Sequence, residues 1–99
     1  MNHVDKYYWI IDHPKLTKGR GQAEIELTPH MVNPENEIIE GDITLNTVFR
    51  WWVEVSTVSY GDYGGVEMIH DWGLDCGGET AENTIETLYD IVLQKYGDY

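Results

Sequence analysis

The stretch IEGDITLNTVFRWWVEVS, residues 39–56, decides the fold. Ile39, Gly41, Ile43, Leu45, Thr47, Phe49, Trp51, Val53 and Val55 occupy its odd positions, while Glu40, Asp42, Thr44, Asn46, Arg50, Glu54 and Ser56 occupy even ones. A repeat of two is that of a β-strand with one face on a core and the other toward solvent. At about 3.3 Å per residue the whole run is too long for one ordinary strand, so a break is predicted near Asn46 and Thr47. The phase survives that break, which favours a bend or a three-residue loop over a two-residue hairpin.

The same alternation appears upstream, where Ala23, Ile25 and Leu27 oppose Glu24 and Glu26. Two more strands are expected over residues 6–12, KYYWIID, and over residues 65–72, GVEMIHDW, which follow the glycine-rich turn GDYGG. Asn33, Pro34, Glu35 and Asn36 mark a further turn. Connections this short imply antiparallel pairing, because a parallel crossover needs a dozen or more residues. The loop HPKLTKGRG, about residues 13–21, holds half of the basic charge and is expected to be mobile.

The helical period appears at the C-terminal end. Ala81, Ile85, Leu88, Val92 and Tyr96 form one apolar stripe. Thr80 fits an N-cap, Glu79 and Glu82 the positive end of the helix dipole, Lys95 the negative end and Gly97 the stop. The expected architecture is therefore α+β: a four- or five-stranded, mainly antiparallel sheet with one C-terminal helix, about residues 80–96, packed on one face. A chain of 99 residues is one domain with one modest core.

Six basic residues stand against eighteen acidic ones, a net charge of -12. Residues 1–20 carry Lys6, Lys15, Lys18 and Arg20 against Asp5 and Asp12, so all of the excess acid lies beyond them. Such a surface repels nucleic acid and anionic membrane and attracts basic partners. A single cysteine excludes an internal disulfide, and no apolar run is long enough to span a bilayer as a helix. A cytoplasmic protein without an export leader is the expectation.

HDWGLDCGGET, residues 70–80, concentrates the reactive side chains. His70, Asp71, Asp75 and Cys76 lack the paired spacings of a zinc site, so no metal is expected from that pattern. Cys76 as a nucleophile needs a base, and His70 is the nearest in sequence; burial as a small apolar side chain is the plainer role. Gly77 and Gly78 before a helix suit a phosphate cradle, but Asp75, Glu79 and Glu82 repel an anion there. The stretch reads better as a joint: a strand end, a turn and a helix start. No catalytic residue and no cofactor is expected.

Twelve aromatic residues exceed what one small core needs. Trp51 and Trp52 are adjacent in a strand, so Trp52 faces away from Phe49, Val53 and Val55, beside Arg50 and Glu54. Strand acids Glu24 and Glu26, or Glu40 and Asp42, repeat at roughly 6.7 Å, and Glu82, Glu86 and Asp90 form a row on the helix. Regular rows of negative charge on rigid elements can occupy a groove built for a phosphate backbone. Small acidic phage-type inhibitors, anti-CRISPR proteins among them, resemble this chain in size and composition, though in no motif.

The expected function is thus a non-enzymatic protein-binding module that inhibits by nucleic-acid mimicry. Its partner would be a basic protein such as a nucleic-acid-binding enzyme or an RNA-guided complex, with no direct binding of nucleic acid or membrane. Three alternatives stand beside it. They are a small-ligand or carbohydrate binder using Trp52, Tyr60 and Tyr63, a small enzyme built on Cys76 and His70, and an accessory subunit pairing through a strand edge.

Overall fold

The computed structural model describes residues 1–32, 48–61 and 63–99. Helix α1 (His3–Ile11) and the short helix α2 (Pro14–Thr17) precede strands β1 (Glu24–Val32), β2 (Val48–Tyr60), β3 (Val66–His70) and β4 (Cys76–Gly78). A 3-10 turn at Trp72–Leu74 separates β3 from β4, and helix α3 (Ala81–Tyr96) closes the described elements. The predicted turn at Asn33–Asn36, the break near Asn46, and Glu40 and Asp42 all lie outside the described residues.

All pairing among the described residues is antiparallel, and β2 lies at its centre. β1 runs along one side of β2, from Glu24 opposite Ser56 to Val32 opposite Val48. On the other side β3 pairs with Ser56–Tyr60 and β4 with Trp51–Val53. Between those pairings the chain leaves the sheet after His70 and rejoins it at Cys76. The predicted α+β class and antiparallel sheet are observed.

The odd face of β2 carries the core. Val53 and Val55 are buried together with Ile85, Leu88 and Val92 of α3, Ile10 and Ile11 of α1, Leu16, Ala23 and Leu74. α3 matches its predicted limits: the Thr80 hydroxyl accepts from Asn83 N at 3.0 Å, and Gly97, with φ of 78°, ends the helix. Gly77 and Gly78 let β4 approach its neighbours. A Cβ on Gly78 would stand 2.8 Å from Thr84 Oγ1 and one on Gly77 3.0 Å from Trp51 O.

The strand predicted over residues 6–12 is instead most of α1. As a strand it would split Tyr7, Trp9 and Ile11 from Tyr8 and Ile10, leaving one apolar set uncovered. As a helix it brings Tyr7, Ile10 and Ile11 to the core side together. Asn2 caps it, accepting from Asp5 N at 2.9 Å.

The loop predicted over residues 13–21 contains α2, whose Leu16 and Thr17 are buried. Buried His13 organises it. Its Nδ1 accepts from Lys15 N at 3.1 Å, so Nε2 carries the proton and donates to Gly97 O at 2.8 Å. That bond ties the start of α2 to the end of α3.

Candidate functional site on the open sheet face

From Trp52 to Ser56 the even positions of β2 lie on the opposite side of the strand from buried Val53 and Val55. Trp52 is 39% exposed, Glu54 is exposed and Ser56 half-buried, whereas Val58, opposite Met68 of β3, is buried. The exposed part of this face therefore runs from Trp52 to Ser56 and across to its neighbours. β1 contributes Glu24 opposite Ser56 and Glu26 opposite Glu54. β3 contributes His70, also opposite Ser56.

Two carboxylates directly across an antiparallel pair repel each other and weaken the sheet. Glu26 and Glu54 stand in that relation, and among the described residues neither has a basic partner. The acids of α3 are placed differently: Glu82 lies 4.0 Å from His3 and Glu86 3.9 Å from Lys6, while Asp90 is exposed beyond them. The predicted helix row thus faces partial compensation from α1, while the β1–β2 acids do not. Arg50 is half-buried on β2 opposite His30, two residues from Trp52.

The excursion between β3 and β4 adds a second group to this face. Asp71 N donates to Val55 O at 2.8 Å, anchoring the departure, and Leu74 N donates to Asp71 O at 3.1 Å. Leu74 is buried in the core. The chain then turns Asp75 back toward β3, where His70 Nε2 donates to Asp75 Oδ1 at 2.7 Å. The Asp75 side chain is only 6% exposed and that of His70 24%. Trp72, 77% exposed, lies against the imidazole with ring centroids 4.0 Å apart.

Glu54, from the middle of β2, completes the group: one ligand atom from each of Glu54, His70 and Asp75 lies within 4.8 Å of the others. A groove of about 380 Å³ passes this cluster, with Glu24, Glu26, Glu54, Ser56 and His70 in its wall together with Tyr7 and Ile11 of α1 and the start of β1. The sequence pattern weighed His70, Asp71, Asp75 and Cys76 as one set. The structure instead unites His70 and Asp75 with Glu54, while Asp71 Oδ1 accepts from Gly73 N.

Cys76 is set apart from this cluster. It pairs opposite Val53 and packs against the core, its Sγ 3.9 Å from Thr84 O. Burial, reinforced by the Asp75 charge, pushes its thiol up to about 11, which disfavours the thiolate a nucleophile requires. His70, its proposed base, is engaged with Asp75 on the opposite face. Gly77 and Gly78 lie within β4 rather than at the N-terminus of α3, so the phosphate-cradle geometry is not formed.

Tyr60 and Tyr63 flank the β2–β3 turn, Tyr63 fully exposed and Tyr60 donating its hydroxyl to Lys18 O at 3.2 Å. No helix among the described residues is long and apolar enough to cross a membrane. No protein-family model, curated protein or solved structure matches the chain.

Proposed function

We propose that this protein is a non-catalytic binding module whose open sheet face engages a basic protein surface. The observation that carries the reading is the uncompensated pair Glu26 and Glu54, extended by Glu24 and bordered by exposed Trp52. A like-charge pair directly across a sheet works against folding, so its presence is better explained by what binds there. Rigid strands hold these acids at fixed spacing, and Trp52 supplies the kind of aromatic anchor on which interfaces depend.

The specific form of the proposal is mimicry of a nucleic-acid backbone, inhibiting a nucleic-acid-binding or RNA-guided enzyme as anti-CRISPR-type inhibitors do. The net charge of -12 favours fast, salt-sensitive association with such a groove. Cytoplasmic action follows from that partner class. The face used is β1–β2 rather than the α3 row, whose Glu82 and Glu86 face His3 and Lys6.

Competition tests the reading. Immobilised protein is incubated with cytoplasmic extract at low salt and eluted with double-stranded DNA, with RNA or with salt. A basic nucleic-acid-binding protein should be released by nucleic acid and by salt alike, and the triple variant Glu24→Gln, Glu26→Gln, Glu54→Gln should fail to retain it. Retention unchanged in that variant, or nothing that nucleic acid releases, would refute the proposal.

A further inference from the structure

We propose that Glu54, His70 and Asp75 form a binding site for a divalent transition-metal ion, with zinc as the ion best suited to the set. This inference does not depend on the identity of any protein partner. One imidazole nitrogen and two carboxylate oxygens make a mixed nitrogen and oxygen donor set that suits zinc and its neighbours better than magnesium or calcium, which prefer oxygen alone.

The geometry requires little movement. Ligands about 2.1 Å from a zinc ion at tetrahedral angles stand about 3.4 Å from one another. His70 Nε2 and Asp75 Oδ1, now 2.7 Å apart, would open slightly, and the Glu54 carboxylate, already within 4.8 Å of both, would close in. Glu54 lies in the middle of β2 and His70 at the end of β3, and the return of the chain to β4 fixes Asp75. The exposed Glu54 side chain is the one free to adjust.

Burial and open space both point to a cation. The Asp75 side chain is more than nine-tenths buried, and its counterpart is an imidazole that in its neutral form brings no charge. An ion bound at Nε2 would displace that proton, the ring taking up a proton at Nδ1 so that it stays a neutral ligand, and would compensate Asp75, Glu54 and nearby Glu26 together. Three protein ligands leave a fourth position open toward the groove that Glu54 and His70 line, where water or a ligand atom from a bound molecule can enter. Cys76, although adjacent in sequence, faces the core and stays outside the set.

The test is isothermal titration of chelator-treated protein with zinc chloride, with magnesium chloride as the comparison, followed in parallel by tryptophan emission because Trp72 lies on His70. One zinc ion per chain should bind saturably and perturb the emission, with magnesium much weaker. His70→Ala should abolish the site. Glu54→Gln, at an exposed position that the fold does not need, should weaken zinc binding by at least about tenfold with an unchanged circular dichroism spectrum. Cys76→Ser should leave binding intact.

Absence of saturable zinc binding to folded protein would overturn the proposal, as would equal affinity in wild type and Glu54→Gln. Loss of the site in Cys76→Ser with its fold retained would do the same by assigning the thiol as a ligand.

Discussion

The two faces of β2 obey opposite rules although they alternate residue by residue. Val53 and Val55 are buried beneath three helices, where every contact serves the fold. Trp52, Glu54 and Ser56, interleaved with them, meet Glu24, Glu26 and His70 in an arrangement that local stability alone would not select. The first face minimises exposed apolar area, whereas the second keeps an exposed tryptophan and an unrelieved carboxylate pair. The difference teaches where to look for function: on the side of the sheet where the sequence tolerates a cost.

Substitutions can break that contrast. Leu88→Ala on the covered face should destabilise the protein by about 2–5 kcal/mol in urea unfolding, since Leu88 is wholly buried among α3, α1 and β2 side chains. Ser56→Ala on the open face should stay within about 0.5 kcal/mol of wild type. Comparable losses at both positions would mean that the open face is structural after all.

The joint between the faces offers the next largest effect. Gly78→Ala places a methyl group 2.8 Å from Thr84 Oγ1 and should cost about 1–3 kcal/mol as β4 is pushed from α3. Gly65→Ala meets nothing within 4 Å and has ordinary backbone angles, so its thermal midpoint should be unchanged or slightly raised.

These positions also show what could be read from the sequence. The period of two marked β1 and β2, and the period of 3.6 with Thr80 and Gly97 at its ends marked α3, because in each case one face meets a core and the other meets solvent. KYYWIID lacked that signature. Its run of aromatic and β-branched residues resembles a buried strand, and only the Asn2 cap signalled a helix start.

The cluster of Glu54, His70 and Asp75 was not legible. It depends on register between β2 and β3 and on a five-residue departure from the sheet that returns Asp75 to His70, and neither is encoded in residue spacing. The facing of Trp52 away from Val53 and Val55, by contrast, followed directly from its place beside Trp51 in a strand, whereas the alternation left open whether another segment covers it, and the structure leaves it exposed.

A smaller effect concerns Glu54 itself. Relief of the repulsion opposite Glu26 by Glu54→Gln should stabilise the metal-free protein by about 0.2–1 kcal/mol in urea at low salt, and the gain should shrink as salt is added. Destabilisation instead would mean that the carboxylate has a structural partner on this face.

The smallest effect is kinetic. With its thiol pushed up to about 11, Cys76 should be alkylated slowly by iodoacetamide near neutral pH, the rate rising only in alkaline solution. The linkage has the same origin. A free thiol ionises near 9.0 and the buried one near 11, so between those values the unfolded chain binds fewer protons and stability falls as pH rises, while below 9.0 the contribution is fully present. Fast alkylation of folded protein at neutral pH would contradict this placement of the side chain.

The most direct test of the central claim, that the acids of the open face are kept for binding, is the partner affinity of Glu26→Gln/Glu54→Gln, measured across a salt series on folded protein. Binding to the nucleic-acid-releasable partner should be weaker and its dependence on salt shallower, in a protein at least as stable as wild type. Affinity and salt slope equal to those of wild type would contradict it.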